Sequence, residues 1–479
     1  MTLFAVLALP LLAAVVCWAT RDRRVALAST LVSSLAVFAL TLEVMFSVLA
    51  DGQVTAIANA VAADALSALM LLLIAVVGVT AAFFSWGYME RMSNESGRLW
   101  FYYFNFNLFV FSMLAIPVLV EPTLVWIFVE LTTLCSAMLV GFENTRAALE
   151  AAWKYVTLSL MGAAIALLGF LVLFAAMQAA GGDVYTWEGL VTAAPRMPPA
   201  LLQTAFLLIL VGFGTKVGLV PLHTWLPDAH SQAPSPVCAI LSGVETTAVL
   251  YVILRMLPVL NGAPGLDAEL WFVAFGLVSV GTAALLLIQV RDYKRMFAYS
   301  TVEHMGIILM AAGLGSAAAH YGALYQALTH TLTKSFCFYA AGSALLATGS
   351  REIGAVRGLI RRSPAAGAAV LLGGLAIAGA PPFAVFLSEF SIFRAGLAEG
   401  RYVAIGLLVL FIAIGFFAVL FHVNRMVFGK GPGVPSAVRL PASCTGALAV
   451  AGVLVVASGL YLPAPLHDLL QRAAAAMTR

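Results

Sequence analysis

Apolar runs as long as a membrane is thick recur along almost the whole of this chain, and they leave it few ways to fold. A helix needs about 20 apolar residues to cross the hydrocarbon core. Runs of that order lie near 2–20, 25–50, 61–87, 100–120, 122–141, 150–178, 200–222, 236–260, 268–290, 295–314, 317–348, 365–393, 402–428 and 443–462. Hydrophobic residues make up 62% of the 479 and charged residues 10%, with a mean hydropathy of +1.02. No soluble domain of this length hides so much apolar surface from water. The expected fold is an all-α polytopic membrane protein with about fourteen transmembrane helices.

The same composition excludes several function classes. The five cysteines, Cys17, Cys135, Cys238, Cys337 and Cys444, stand far apart inside apolar runs. They form no CxxC pair and no Cys/His cluster, so they read as small buried hydrophobes and not as a disulfide framework or a metal site. Neither a GxGxxG fingerprint nor a GxxxxGK[ST] loop is present, and no connector is long and polar enough for a nucleotide domain. The chain is expected to carry no cofactor and no metal and to bind no nucleic acid. The amino-terminal run has no basic residue before it, whereas Arg21, Arg23 and Arg24 follow it. That order opposes a cleaved signal peptide and suits a retained helix.

The loops are short, and their charges orient the chain. Arg21, Arg23, Arg24, Arg91, Arg98, Arg146, Lys154, Arg291, Lys294, Arg295, Arg351, Arg357, Arg361, Arg362, Arg425, Lys430 and Arg439 fall to odd-numbered connections. Even-numbered ones hold only Arg196, Arg394 and Arg401, with Arg255 at a helix end and Arg472 and Arg479 in the tail. The positive-inside rule then puts both termini outside a bacterial or archaeal type of inner membrane. Gly212 to Pro221 in helix 7 and Gly373 to Pro382, followed by Ser388 and Glu389, in helix 12 each combine glycines, proline and one ion. Each predicts a broken helix whose freed carbonyls sit at membrane depth. Five helices separate the pair, which suggests two inverted five-helix repeats. The expected division is 1–99 for helices 1 to 3, 100–262 and 263–430 for the two repeats, and 431–479 for helix 14 and the tail.

Inside the spans sit residues that a bilayer excludes. Depending on the method, an ion at its centre costs from about 2.5 to over 10 kcal/mol, so it persists only where protein, water or cargo solvates it. Glu130 stands mid-span in helix 5, with Lys154 near the start of helix 6 either within its reach or simply a membrane-edge lysine. Lys216 lies in the broken stretch of helix 7, and buried lysines are readily tuned to lose and regain a proton. Gln326, His330 and Lys334 follow one another at intervals of four and line one face of helix 11, as a hydrated path requires. Glu303 and His304 are adjacent on helix 10, about 100° apart, so one of them is expected to face the path, and His304 reads equally as a structural hydrogen bonder. The bland alternative for the whole set is permanent structural pairing.

Taken with the run Lys216-Val-Gly-Leu-Val-Pro-Leu-His-Thr-Trp-Leu-Pro-Asp-Ala-His-Ser-Gln-Ala-Pro-Ser-Pro236, which adds His223 and His230 as secondary candidates, these residues resemble the antiporter-like membrane subunits of respiratory complex I, Mrp-type cation/proton antiporters and group 4 hydrogenases. Arg291-Asp-Tyr-Lys-Arg-Met-Phe-Ala-Tyr-Ser-Thr-Val-Glu-His-Met-Gly306 and the spacing of His330 and Lys334 extend the resemblance over helices 4 to 13. The Val-Glu-Leu-Thr-Thr and Thr-Val-Glu-His-Met-Gly wording resembles the F-type membrane component of hydrogenase-4 most. The resemblance implies inverted five-helix repeats and a midplane proton path through the positions here occupied by Glu130, Lys216, Lys334 and Glu389. One departure is clear. Many relatives carry a lysine on helix 8 four residues before the aromatic of a Y-x-x-x-R pattern, whereas here Thr247 precedes Tyr251-Val-Ile-Leu-Arg255 and Glu245 lies two residues earlier. Two roles are open to Glu245 in place of that lysine: holding a proton, or pairing with Lys216.

The resulting expectation is a proton-translocating subunit of a redox-driven membrane complex, either a hydrogenase or an NADH-quinone oxidoreductase. It would work beside other membrane and peripheral subunits and carry no redox group of its own. A change in the Glu130/Lys216 interaction would send a proton through Lys334 and His330 to Glu389. Two alternatives stay open: a subunit of an Mrp-type antiporter exchanging sodium or potassium for protons, and a membrane scaffold that docks a hydrogenase module and moves nothing.

Overall fold

The computed structural model describes residues 1–263, 268–430 and 438–478, so Arg479 and the first residues of the expected 431–479 unit lie outside the described residues. Helices α1 (Thr2–Thr20) and α2 (Arg23–Asp51) form an antiparallel pair. The Asp22 carboxylate caps α2 by accepting from the Arg24 and Val25 amides at 2.8 and 2.9 Å. A hairpin of β1 (Val54–Ala56) and β2 (Val61–Ala63) follows, then α3 (Ala65–Met92), α4 (Leu99–Ala115), α5 (Pro122–Val140) and α6 (Arg146–Ala179). Next come α7 (Trp187–Ala193), α8 (Pro199–Val217), α9 (Trp225–Gln232), α10 (Ser235–Ile240), a π-turn (Leu241–Glu245), α11 (Thr246–Leu254) and α12 (Leu257–Asn261). The remainder comprises α13 (Ala268–Gln289), α14 (Tyr293–Ala312), α15 (Ala317–Thr348), α16 (Leu359–Arg362), α17 (Pro364–Ile377), α18 (Ala384–Ala398), α19 (Tyr402–Phe428), α20 (Ala442–Leu460) and α21 (Ala464–Thr478).

Among the described residues, ten helical stretches are long and apolar enough to cross a membrane, and α4 and α17 are shorter apolar helices. The chain is an integral multi-pass protein. The span from Ser235 to Asn261 is buried on every side and stands in the middle, next to the largely buried α3. The helices α2, α19 and α20 are the least buried of these stretches and form the perimeter. Small residues let the inner helices approach closely, as in membrane bundles generally. A Cβ placed on Gly162 of α6 would lie 2.6 Å from the Gly212 carbonyl of α8, and one on Gly276 of α13 would lie 2.7 Å from the Gly306 carbonyl of α14.

Several expectations need correction. Residues 61–63 are strand and not the start of the third span, because the chain reverses through Ile57, Ala58 and Asn59, all at positive φ. Helix 8 is not one continuous α-helix: a π-turn around Ser242 and Gly243 interrupts it. Lys294, assigned to a loop, lies in the first turn of α14 and is 2% exposed. The tail is a helix, α21, whose Leu469, Leu470, Ala473, Ala474 and Met477 repeat at helical spacing and are buried.

Candidate functional site

Lys216 reaches the interior because its helix stops beside it. α8 ends at Val217, with Gly218 in the left-handed region, and the chain turns helical again only at Trp225. The Trp225 indole donates to the Thr215 carbonyl at 2.8 Å, satisfying a group that the break would otherwise orphan. Lys216, 2% exposed, pairs with Glu245, 1% exposed, at 3.1 Å. The Lys216 ammonium also donates to Thr133 of α5 and to the Tyr155 hydroxyl at 3.3 Å. Tyr155 in turn donates to Glu245 Oε1 at 3.0 Å, lies 2.8 Å from Ser136 Oγ and packs its ring on Trp225 with centroids 4.5 Å apart.

The expected Glu130/Lys216 interaction is not a direct ion pair. No ion pair within 4 Å joins them among the described residues, and both Glu130 carboxylate oxygens are buried without a hydrogen-bond partner. Of the two roles open to Glu245, pairing with Lys216 is the one its position gives it. Lys154 does not approach Glu130 either. It pairs with Glu150 at 2.7 Å and Asp228 at 3.6 Å, at the edge of a polar cavity of about 130 Å³ that Ser231, Gln232 and Arg295 also line.

The π-turn that carries Glu245 also bridges to α15. His330 Nε2 lies 3.1 Å from the Ser242 carbonyl, and Thr331 Oγ1 donates to the Gly243 carbonyl at 2.7 Å. A π-turn displaces the regular backbone ladder and is frequent at functional sites. Here its carbonyls meet side chains from the neighbouring helix. His330 lies beside His304, with ring centroids 5.2 Å apart and the planes tilted by 41°. His304 spans from Gln326 Nε2, at 3.0 Å, to the Ile377 carbonyl at 3.1 Å, where α17 stops. Lys334 donates to the Phe297 carbonyl at 2.5 Å and to Ser300.

Beyond the break between α17 and α18, Glu389 and Glu303 share a cavity of about 10 Å³ with His304, Gly415 and Phe416. That volume is about the least that holds one water. Gly379 and Gly415 make room for the two carboxylates, since a Cβ on Gly379 would lie 2.6 Å from Glu389 Oε2 and one on Gly415 would strike Glu303. Both Glu303 and His304 line this cavity. His223 lies in the break after Gly218, buried, with Nδ1 unpartnered among the described residues. His230 is wholly buried on α9. Sequence reasoning missed Tyr155 and Lys294. Tyrosine in an apolar helix carries no signal, whereas the position of Lys294 two residues after Asp292, the α14 cap, was available as one.

The chain is similar to known proteins along most of its length. The family described as NADH:quinone oxidoreductase/Mrp antiporter, TM, matches residues 120–415, and the family described as NADH-Ubiquinone oxidoreductase (complex I), chain 5 N-terminus, matches residues 54–102. A hydrogenase-4 component F homolog from Methylacidiphilum infernorum is 36% identical over 84% of this chain and 85% of its own length. A subunit in the structure of the membrane-bound sulfane sulfur reductase, an archaeal respiratory membrane complex, superposes with a TM-score of 0.89 at 23% identity, over 99% of this chain and 97% of that one. A subunit of the Mrp complex from Dietzia sp. DQ12-45-1b gives 0.89 at 19% identity, over 100% and 97%. At those identities the two structural likenesses are of fold.

Proposed function

Because the chain belongs to the NADH:quinone oxidoreductase/Mrp antiporter transmembrane family, we propose that it moves protons as one subunit of a redox-driven membrane complex, of the hydrogenase or NADH-quinone oxidoreductase type. The observation that carries this reading is a row of ionisable groups running from the half-buried Glu130 through the buried Lys216, Glu245, His330, His304 and Lys334 to Glu303 and Glu389. Among the described residues, the Glu130 oxygens, Glu245 Oε2 and His330 Nδ1 in that row have no hydrogen-bond partner.

In the proposed mechanism Lys216 exchanges a proton with Glu245 and the Tyr155 hydroxyl. The π-turn carries the change to His330, and Lys334 and His304 pass the proton on to the Glu303/Glu389 cavity. Glu130, unpaired here, is the group through which a neighbouring subunit biases Lys216. Moving one charge against 100 mV needs about 2.3 kcal/mol, and a change of two pKa units in a relay group is worth about 2.7 kcal/mol, so electrostatic switching suffices for each step. The reading includes fourteen spans in two inverted repeats, with both termini outside. The 36% identity to a hydrogenase-4 component F homolog favours a redox-driven complex, whereas the Mrp subunit superposes at 19% identity.

The decisive experiment replaces Lys216 with Met in the whole complex reconstituted in proteoliposomes. Redox-driven acidification is expected to disappear in K216M. Pumping at the parent rate would overturn the proposal, and a cation-dependent current without redox substrate would replace it with antiport.

A further inference from the structure

Between α3 and α20 lies a cavity of about 560 Å³ that the transport reading leaves unused. Val79, Phe83, Trp86 and Glu90 of α3 form one wall, and Ser443, Gly446 and Val450 of α20 form the other. The cavity opens toward the bilayer, since Trp86 is 43% and Val450 55% exposed. The two helices touch at one end, where the Gly87 amide donates to Ser443 Oγ at 2.9 Å and a Cβ on Gly87 would lie 2.5 Å from Pro441. Past that contact the small side chains of α20 leave a gap.

The shape of the gap limits what fills it. From Glu90 to Val79 its wall runs about 16 Å along α3 at 1.5 Å per residue. Spread over that length, the volume gives a channel about 6–7 Å wide, whereas a helix with its side chains is about 10–12 Å across. A helix from a neighbouring subunit is too thick, and an extended hydrocarbon chain fits. Both hydroxyls in the walls are engaged by protein: Thr80 Oγ1 donates to the Val76 carbonyl at 3.0 Å and lies 2.9 Å from the Tyr339 hydroxyl, and Ser443 Oγ accepts from Gly87. The carbonyls of a quinone head need donors when buried, and the walls do not hold them out.

The mouth, in contrast, is charged with both signs. Arg91 donates to the Arg439 carbonyl at 2.9 Å, which brings these two cationic residues together beside Pro441 at the rim. Glu90 lines the cavity at the same end, and all three side chains belong to exposed residues. Trp86 stands one turn deeper, as indoles do at the boundary between headgroups and hydrocarbon.

We propose that the cavity between α3 and α20 binds one phospholipid with an amine head, of the phosphatidylethanolamine class. An acyl chain fills the apolar channel, the phosphate meets Arg91 and Arg439, and the ammonium meets Glu90. The lipid supplies the contacts that an empty gap between the buried α3 and the outer α20 would forfeit. This inference is independent of the transport reading.

The test places phosphatidylethanolamine bearing a diazirine in its acyl chain in proteoliposomes of the whole complex, irradiates them and locates the adducts by mass spectrometry. Adducts are expected on α3 between Val79 and Glu90 and on α20 between Ala442 and Val450, more densely than on the lipid-facing α19. Gly446→Phe plugs the channel, since a Cβ there meets nothing within 4 Å. Its adducts at the site are expected to fall roughly tenfold, with those on α19 unchanged. Glu90→Gln is expected to abolish the preference of the site for this probe over the matching phosphatidylglycerol probe. Labelling of the parent no denser than on α19, or equal labelling in G446F, overturns the proposal. So does a parent that takes the phosphatidylglycerol probe or a diazirine-bearing quinone equally well. Should G446F not assemble, G446L decides by the same ratio of adducts.

Discussion

At the scale of single residues, the centre of the molecule turns on which carboxylate holds Lys216. The pair with Glu245 is almost wholly buried, and removing one member of such a pair typically destabilises a protein by about 3–5 kcal/mol because the other charge is left unpaired. Glu245→Gln is therefore expected to lower both the yield and the thermal stability of the purified complex, whereas Glu130→Gln, whose carboxylate has no partner to lose, is expected to leave stability unchanged while slowing pumping. A melting curve and an acidification trace on each variant separate the two roles. Tyr155 offers a finer probe. Tyr155→Phe keeps the ring on Trp225 and removes only the hydroxyl between Lys216 and Glu245, so pumping is expected to slow several-fold with unchanged assembly. An unaltered rate would remove Tyr155 from the relay. The ions themselves were legible in the sequence, because a charge inside an apolar run stands out. Their pairing was not decided there: Glu130 and Glu245 were both open to Lys216, and the pair that forms meets across a space that only the break after Val217 opens.

The elements tell a similar story with different causes. Gly218 and Gly379, both at positive φ, stop α8 and α17 where glycine and proline clusters predicted breaks. The π-turn in the central span was not legible, since Leu241–Glu245 has no proline and its carbonyls are held by His330 and Thr331 from another helix. α21 was missed for the opposite reason: its pattern of Leu466, Leu469, Leu470, Ala473 and Met477 was there to read, but it is amphipathic and not apolar, so a search for spans passes over it. Close helix approach gives a test at this scale. A Cβ on Gly212 would meet the backbone of α6 at Ala166 and Gly162, atoms that cannot rotate away, so Gly212→Ala is expected to destabilise by about 1–3 kcal/mol. Gly78→Ala, with nothing within 4 Å of the new methyl, is expected to match or slightly exceed the parent in the same thermal melt.

Across the whole molecule, the carboxy-terminal helix and the ends of the central helices are bound together. Arg255, at the end of α11, holds Asp64 in a two-pronged pair at 2.5 and 2.6 Å, and Asp64 caps α3 through the Ser67 amide. Nearby, α21 is fastened by Arg472 to the Leu49 carbonyl, by Asn261 to the Met477 carbonyl and by His320 to Thr478. A chain stopped after Leu460 is expected to insert but to melt at lower temperature and to lose protease resistance around α3 and α15, the helices that α21 covers; resistance equal to the parent would show that α21 is dispensable. Apolar length by itself determined that this is a helical membrane protein, roughly where its spans lie and which ions are buried in them, because exclusion of polar groups from hydrocarbon acts on each segment independently. Only the tertiary structure decided that Glu245 and not Glu130 neutralises Lys216, that Glu303 and His304 share one cavity, and that His230 and Lys294 face inward. Those outcomes depend on where broken helices leave room and which carbonyls they leave unmet, and neither is a property of any one segment.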